Sequence, residues 1–315
     1  MRSGTLAATA EARRSRTDKV DPGRAVLERA IVQTVAYADV FDYPLTAEEI
    51  HRYLIGVQAN RGTVRATLNS SARLNASLTR VGKFYSLVGR EAAVETRKVR
   101  GLKAAEYWRR AVRYGHVLGN LPFVKMIAVT GALAMDNLAD ADIDFLIVTE
   151  PGRLWLCRAM VIGLVRLAAL RHVELCPNYF LSAGTLELPE RNLFTAHEVA
   201  QMVPLTGSAT YNRFRELNRW TQGYLPNAGG APHRLAVVDP RAPWTRRVVE
   251  TGLRTPLGGA VERWEMTRKL AKLGRQGNGH LEAAFGPDWC KGHFGDHGLQ
   301  TLARYEDRLR AVEQP

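Results

Sequence analysis

The chain is poor in cysteine. Its 315 residues hold three, Cys157, Cys176 and Cys290, and an odd, widely separated set argues against a disulfide framework and suits a reducing, cytoplasmic setting. Long apolar runs are also lacking. The longest, Leu154 to Leu170, is broken by Arg158 and Arg166, which argues against a bilayer span and against a membrane partner. The first residues carry scattered arginines without an apolar segment, so 1–24 read as a disordered basic tail rather than a secretory signal. There is no Gly-Lys-Ser/Thr phosphate loop, no Ser/His/Asp arrangement and no internal repeat. Acid is the minority charge: 31 Asp and Glu against 44 Lys and Arg leave a formal charge of +13. Such a balance concentrates anions (nucleotide, nucleic acid or acidic protein) without choosing among them, and the plainer alternative is arginine on solvated faces.

What is present is organised around Val124 to Glu150. An apolar run, Met126 to Val129, meets the turn Thr130-Gly131-Ala132, and a second apolar run, Phe145 to Val148, is opened by Asp142-Ile143-Asp144. The pattern predicts a strand, a tight turn into a helix, and a second strand beginning with two acids. Side chains at i and i+2 of a strand share a face, with Cα atoms about 6.6 Å apart, so the two carboxylates repel. A divalent cation compensates them, and a hard oxygen pair suits Mg²⁺ or Mn²⁺.

Thr130-Gly131-Ala132, nine residues from Leu133 to Ala141, then Asp142-Ile143-Asp144-Phe145 resembles the signature of the DNA polymerase β-like nucleotidyltransferase superfamily. Ala132 departs from it, since that position usually holds Gly or Ser and the hydroxyl is missing. The phrases VKMIAVTGALAMDN, GRLWLCRAMV, LCPNYFLS, NLFTAHEVAQMVPL and YNRFRELNRW also resemble poorly characterised prokaryotic nucleotidyltransferase-domain proteins. The resemblance implies transfer of a nucleoside monophosphate from an NTP to an acceptor hydroxyl. Asp142 and Asp144 would hold the metal, and Thr130, Gly131 and Ala132 would meet the phosphates at a helix N-terminus. It also implies a third acid on a following strand, completing the metal site and accepting the acceptor's proton. Val173-Glu174-Leu175 has that form, so Glu174 is the candidate and Asn178 the second choice, although Pro177 marks an edge strand or a bulge. Glu174 at a solvated strand start is the plainer alternative. Arg153 or Arg158, early in the next helix, are candidates for the triphosphate, or else for surface ion pairs.

The expected fold class is α/β (α+β): a small mixed-sheet nucleotidyltransferase core, residues 123–226, with an N-terminal winged-helix-like domain and C-terminal helices. Residues 25–41 have helical apolar spacing and end before Pro44; Thr46 to Glu49 is a capping box opening a second helix that buries Ile50, Tyr53 and Leu54. A third helix from Arg61 to about Leu74 and a hairpin around Gly82 complete 25–90 in winged-helix order. Its third helix would offer Arg61, Thr63, Arg65, Thr67 and Asn69 to DNA, with Arg80 and Lys83 on the wing, or would serve only for packing. Residues 91–122 form a basic helical linker. Further helices are expected over Arg153 to Leu170, Thr195 to Met202 with Thr195 as N-cap and Glu198 closing the box, and Tyr211 to Tyr224. His197 and Glu198 are candidates to line a site or are satisfied structural groups. Residues 227–315 read as an exposed linker, then helices. Cys290, His293 and His297, with His280 or Asp296, have the residue types of a zinc site without a spacing that requires one. The competing function is a nucleotide-sensing or DNA-binding regulator whose transferase core is degenerate.

Overall fold

The computed structural model describes residues 22–140, 142–232, 237, 243–276, 284–291 and 297–313. Residues 1–21 of the expected tail, most of the expected linker, and His280, His293 and Asp296 lie outside the described residues, whereas residues 22–24 of that tail open the first helix. Helix α1 (Pro22–Asp39) buries Leu27, Ala30, Ile31 and Val35 at helical spacing. After a short turn, strand β1 (Leu45–Thr46) feeds α2 (Ala47–Arg52), and the capping box forms. Thr46 Oγ1 accepts the Glu49 amide at 3.3 Å, and Glu49 Oε2 accepts the Thr46 amide at 2.8 Å. Ile50, Tyr53 and Leu54 are buried behind it.

The single helix expected over 61–74 is two, α3 (Arg61–Ser70) and α4 (Ala72–Ser77). Ser71 breaks it: its backbone is extended, and its hydroxyl caps α4 through the Leu74 amide at 3.1 Å. Strands β2 (Leu78–Val81) and β3 (Phe84–Leu87) then complete an antiparallel sheet of order β1-β3-β2.

One continuous helix, α5 (Ala93–Gly119), spans the basic segment. Several of its cations bind other parts of the chain. Arg97 pairs with Glu49 at 2.6 Å and lies 3.9 Å from the Tyr43 ring, Arg100 reaches the Phe41 carbonyl, and Lys103 the Ala139 carbonyl. Elsewhere Arg52 and Arg215 donate to backbone carbonyls at Ala200, Gly229, Gly230, Val199 and Ala228. These five cations are therefore engaged within the fold.

The larger sheet carries the site. Its elements are β4 (Val124–Val129), the single turn α6 (Gly131–Ala134), β5 (Asp142–Thr149), α7 (Leu154–Ala169), β6 (Glu174–Ser182), α8 (Leu193–Gln201), β7 (Val203–Thr206) and α9 (Ser208–Leu217). After a 3₁₀ turn (Arg219–Gly223) come α10 (Trp244–Leu253), α11 (Pro256–Gln276), β8 (Ala284–Phe285), β9 (Trp289–Lys291) and α12 (His297–Glu313). Strand order is β7-β4-β5-β6-β9-β8, with β5 and β6 parallel across α7 and the other pairs antiparallel. The protein is thus a mixed α+β fold with two sheets. Four strands depart from expectation: β1, β7, and the β8/β9 hairpin in a C-terminal region read as helices alone. Helix α8 starts two residues earlier than expected, because Asn192, not Thr195, is its N-cap and accepts the Thr195 amide at 2.8 Å. The Thr195/Glu198 box does not form, and Glu198 is left free of capping duty.

Alternation along β5 sorts the two faces of the sheet. Ile143, Phe145 and Ile147 join α5 and α7 in one core, while Leu146 and Val148 join α8 and α9 in another. Asp142 and Asp144 are on the α8/α9 face by the same alternation. On the opposite face, Glu262 of α11 fastens α7, accepting the Trp155 and Leu156 amides at 2.9 and 2.7 Å. A third core joins the N-terminal elements to α8 and α12, and buried Asp39 is held there by Arg90 at 2.9 Å and Arg308 at 2.7 Å. Among the described residues, no helix is long and apolar enough to cross a membrane.

Candidate functional site

The turn after β4 and the start of β5 are one unit. The Thr130 amide donates to the Asp144 carbonyl at 3.1 Å, and Gly131 has φ +63°. A Cβ on Gly131 would overlap Asp144 Oδ2 and lie 3.1 Å from its Cγ. Gly131 therefore meets two demands at once, a left-handed backbone and direct contact with a carboxylate. The helix that follows is a single turn, Gly131–Ala134, which corrects the expectation of a helix N-terminus able to take phosphates. Any phosphate contact there falls to the individual amides of the turn.

Three donors converge beside that turn. Oxygens of Asp142 and Asp144 and the sulfur of Cys176 lie within 4.8 Å of one another. Register explains it: β5 and β6 pair Asp142 with Glu174 and Asp144 with Cys176, then shift between Asp144 and Leu146. That irregularity is the bulge at Pro177-Asn178, and β9 pairs with the other side of β6 only beyond it, from Tyr179 to Leu181. Asn178 uses it to reach the site. Its Nδ2 donates to Asp144 Oδ1, and its Oδ1 accepts from Cys176 Sγ at 2.6 Å. Glu174 is exposed at the start of β6 beside Asp142, and it does not join the cluster of donors. Cys176, and not Glu174, joins the two acids; choosing by residue type instead of register missed it.

Asp144 is a strained anion. Burial, then the charges of Asp142 and Glu198, push its carboxyl from 3.8 up to about 7. Among the described residues no lysine or arginine forms an ion pair with Asp142 or Asp144. Two carboxylates without a counter-charge fit a divalent cation, whereas the thiol beside them does not suit the all-oxygen shell of Mg²⁺.

Asp144 also borders a cavity of about 350 Å³ enclosed by the sheet, α1, α8 and α12. Its walls are largely apolar and aromatic, from Tyr37, Phe41, Tyr43, Tyr53, Phe194 and Met202. His197 packs its ring on Tyr37 with centroids 3.8 Å apart, and burial holds it neutral, its pKa lowered to about 4. Glu198, half-buried, faces the same space, and burial raises its carboxyl to about 7. Lys291 lines the cavity too, engaged with Glu190 at 2.8 Å.

The two arginines proposed for phosphate are elsewhere. Arg153 lies over Phe123, before β4 and at the end of the sheet remote from Gly131. Arg158 lies over Trp155 and Phe180, on the α7 face of the sheet, opposite the acids. Both roles are withdrawn on geometry: helix α7 covers the wrong face. Of the zinc candidates, Cys290 is buried in β9 and His297 borders the cavity, while His293 lies outside the described residues. Comparison with protein families, curated proteins and solved structures gave no match for this chain.

Proposed function

We propose that the chain is a metal-dependent nucleotidyltransferase, moving a nucleoside monophosphate from an NTP to the hydroxyl of a small acceptor held in the apolar cavity. The observation that carries this reading is the union of the Gly131 turn with the Asp142/Asp144 pair, packed in contact and tied by the Thr130 amide. Asp142 and Asp144 would hold a divalent cation, which when bound supplies Lewis-acid stabilisation of the phosphoryl oxygens. The turn amides of Gly131 and Ala132 orient the phosphates. The acceptor oxygen bonds to the α-phosphorus, the bond to pyrophosphate breaks, and the hydroxyl proton passes to Glu198. A carboxylate poised near neutrality is suited to that task. Aromatic walls exclude water, which limits hydrolysis of the NTP in place of transfer.

The test is thermal unfolding of wild type and Asp142→Asn/Asp144→Asn with each NTP, without metal and with Mg²⁺ or Mn²⁺. A ligand at a hundred times its Kd adds about 2.7 kcal/mol to the folded state. The reading holds if an NTP stabilises the wild type only with metal and the double variant loses the response. No shift with any NTP at millimolar concentration overturns it.

A second reading is a regulator with a degenerate core, favoured by the thiol in the third-acid position. The N-terminal elements follow winged-helix order, and α3 leaves Arg61, Thr63, Arg65 and Asn69 exposed, although Arg65 pairs with Glu48 and Thr67 is buried. Under this reading DNA binding survives Asp142→Asn/Asp144→Asn and weakens steeply with salt.

A further inference from the structure

We infer that Cys176 is the third ligand of the cation site, and that the site takes a thiophilic divalent ion of the Zn²⁺/Co²⁺ class in preference to Mg²⁺. The inference rests on the cation site of the transferase reading but not on transfer itself.

Three observations lead to it. The parallel register sets Cys176 directly beside Asp144, so its sulfur joins the two carboxylates within 4.8 Å. Asn178 bonds both Asp144 and Cys176, so one amide orients a carboxylate oxygen and the thiol toward a common point, as outer-shell partners of metal ligands do. The carboxylate pair lacks a cationic ion-pair partner among the described residues. An acid pair alone would accept Mg²⁺. A sulfur fixed within ligand distance of both changes the selectivity, because Mg²⁺ keeps an octahedral oxygen shell whereas Zn²⁺ and Co²⁺ accept mixed oxygen and thiolate donors.

The other two cysteines are placed for packing. Cys157 is buried and donates to the Pro122 carbonyl at 3.1 Å, and Cys290 is buried between β6 and β8. Cys176 alone is partly exposed and on the face of the acids.

The experiment uses the full metal-free chain, titrated with Co²⁺ and then competed with Zn²⁺ and Mg²⁺. Wild type is expected to show a near-ultraviolet thiolate-to-cobalt charge-transfer band that Zn²⁺ abolishes, with Zn²⁺ bound about a hundredfold or more tighter than Mg²⁺. Cys176→Ser should lose the band and most of that preference, whereas Cys290→Ser, which removes a sulfur buried in β9, should keep both. Cys176→Asp, which makes a three-carboxylate site, should lose the band and gain Mg²⁺ affinity, showing that the site remains folded. Absence of the band in wild type, or its survival in Cys176→Ser, overturns the inference. A band in a protein whose stability no NTP shifts upholds the metal site and sinks only the transferase reading; an NTP response with Mg²⁺ but no cobalt band does the reverse.

Discussion

Replacing Gly131 by Ala tests whether the turn and the acid pair are one unit. Two costs are separable. Placing an L-residue at φ +63° costs about 1–2 kcal/mol. The new Cβ would also stand 3.1 Å from Asp144 Cγ and 3.3 Å from its Cβ, where carbon atoms in contact prefer about 3.5–4.0 Å. Because the Cβ also overlaps its Oδ2, Asp144 must yield by about an ångström while its Oδ1 is held by Asn178 and its carbonyl by the Thr130 amide. Overpacking of this kind costs about 1–3 kcal/mol, so Gly131→Ala should destabilise by about 2–5 kcal/mol in all. In an Asp144→Ala background the carboxylate is gone and only the backbone cost remains, about 1–2 kcal/mol. Urea unfolding of the four proteins at neutral pH gives the coupling directly, and the stability change from Asp144→Ala itself cancels in the cycle. A coupling of about 1–3 kcal/mol is expected. If Gly131→Ala costs the same in both backgrounds, the glycine serves only the turn, and the contact with Asp144 has no energetic meaning.

Titration of Asp144 makes a second prediction. Its folded value lies above its ordinary one, so the folded state binds more protons than the unfolded state between pH 3.8 and about 7. Stability contributed by this group is complete below 3.8 and lost as pH rises toward 7, by at most about 4 kcal/mol. Asp144→Asn should therefore lose less stability than wild type over that interval in urea titrations at successive pH values, and a bound divalent cation should cancel the difference; parallel curves would refute it. Glu262→Gln should lower stability by about 1–3 kcal/mol in the same assay, since the α7 amides would lose a charged acceptor. Arg97→Ala should cost about 3 kcal/mol, because Glu49 would stay partly buried without its guanidinium. Arg158→Gln should leave metal affinity, by calorimetry, within about twofold of wild type, an interval within RT of no change in binding free energy; a larger loss would place that side chain nearer the acids than the α7 face permits.

What was legible in the sequence is what a single segment specifies. The acid strand, the glycine turn, the capping box at Thr46 and the amphipathic helices over 22–39 and 154–169 follow from local spacing and local hydrogen bonding. Strands β7, β8 and β9 do not, because two to four residues carry too little periodicity and exist only through their partners. The helix over Arg153 to Leu170 was placed correctly, yet nothing within it says which side of the sheet it covers, and that alone removes Arg158 from the acids.

The third ligand shows the same limit more sharply. Glu174 and Cys176 are two residues apart on one strand and share a face, so sequence pattern treats them alike. Residue type favours the glutamate; the register of a strand that pairs across a helix favours the cysteine, because it sets Glu174 beside Asp142 and Cys176 beside Asp144. The bulge at Pro177 then turns Asn178 back onto both Asp144 and Cys176. Proline was legible as a break, but the direction it gives the following amide depends on the register with β5, which shifts between Asp144 and Leu146. Glu198 has a similar origin: once Asn192 caps α8, the glutamate is free to face the cavity. The chemistry of the site therefore depends on pairing between distant segments, and Cys176→Asp, which alters the donor while leaving that pairing in place, separates ligand type from ligand position.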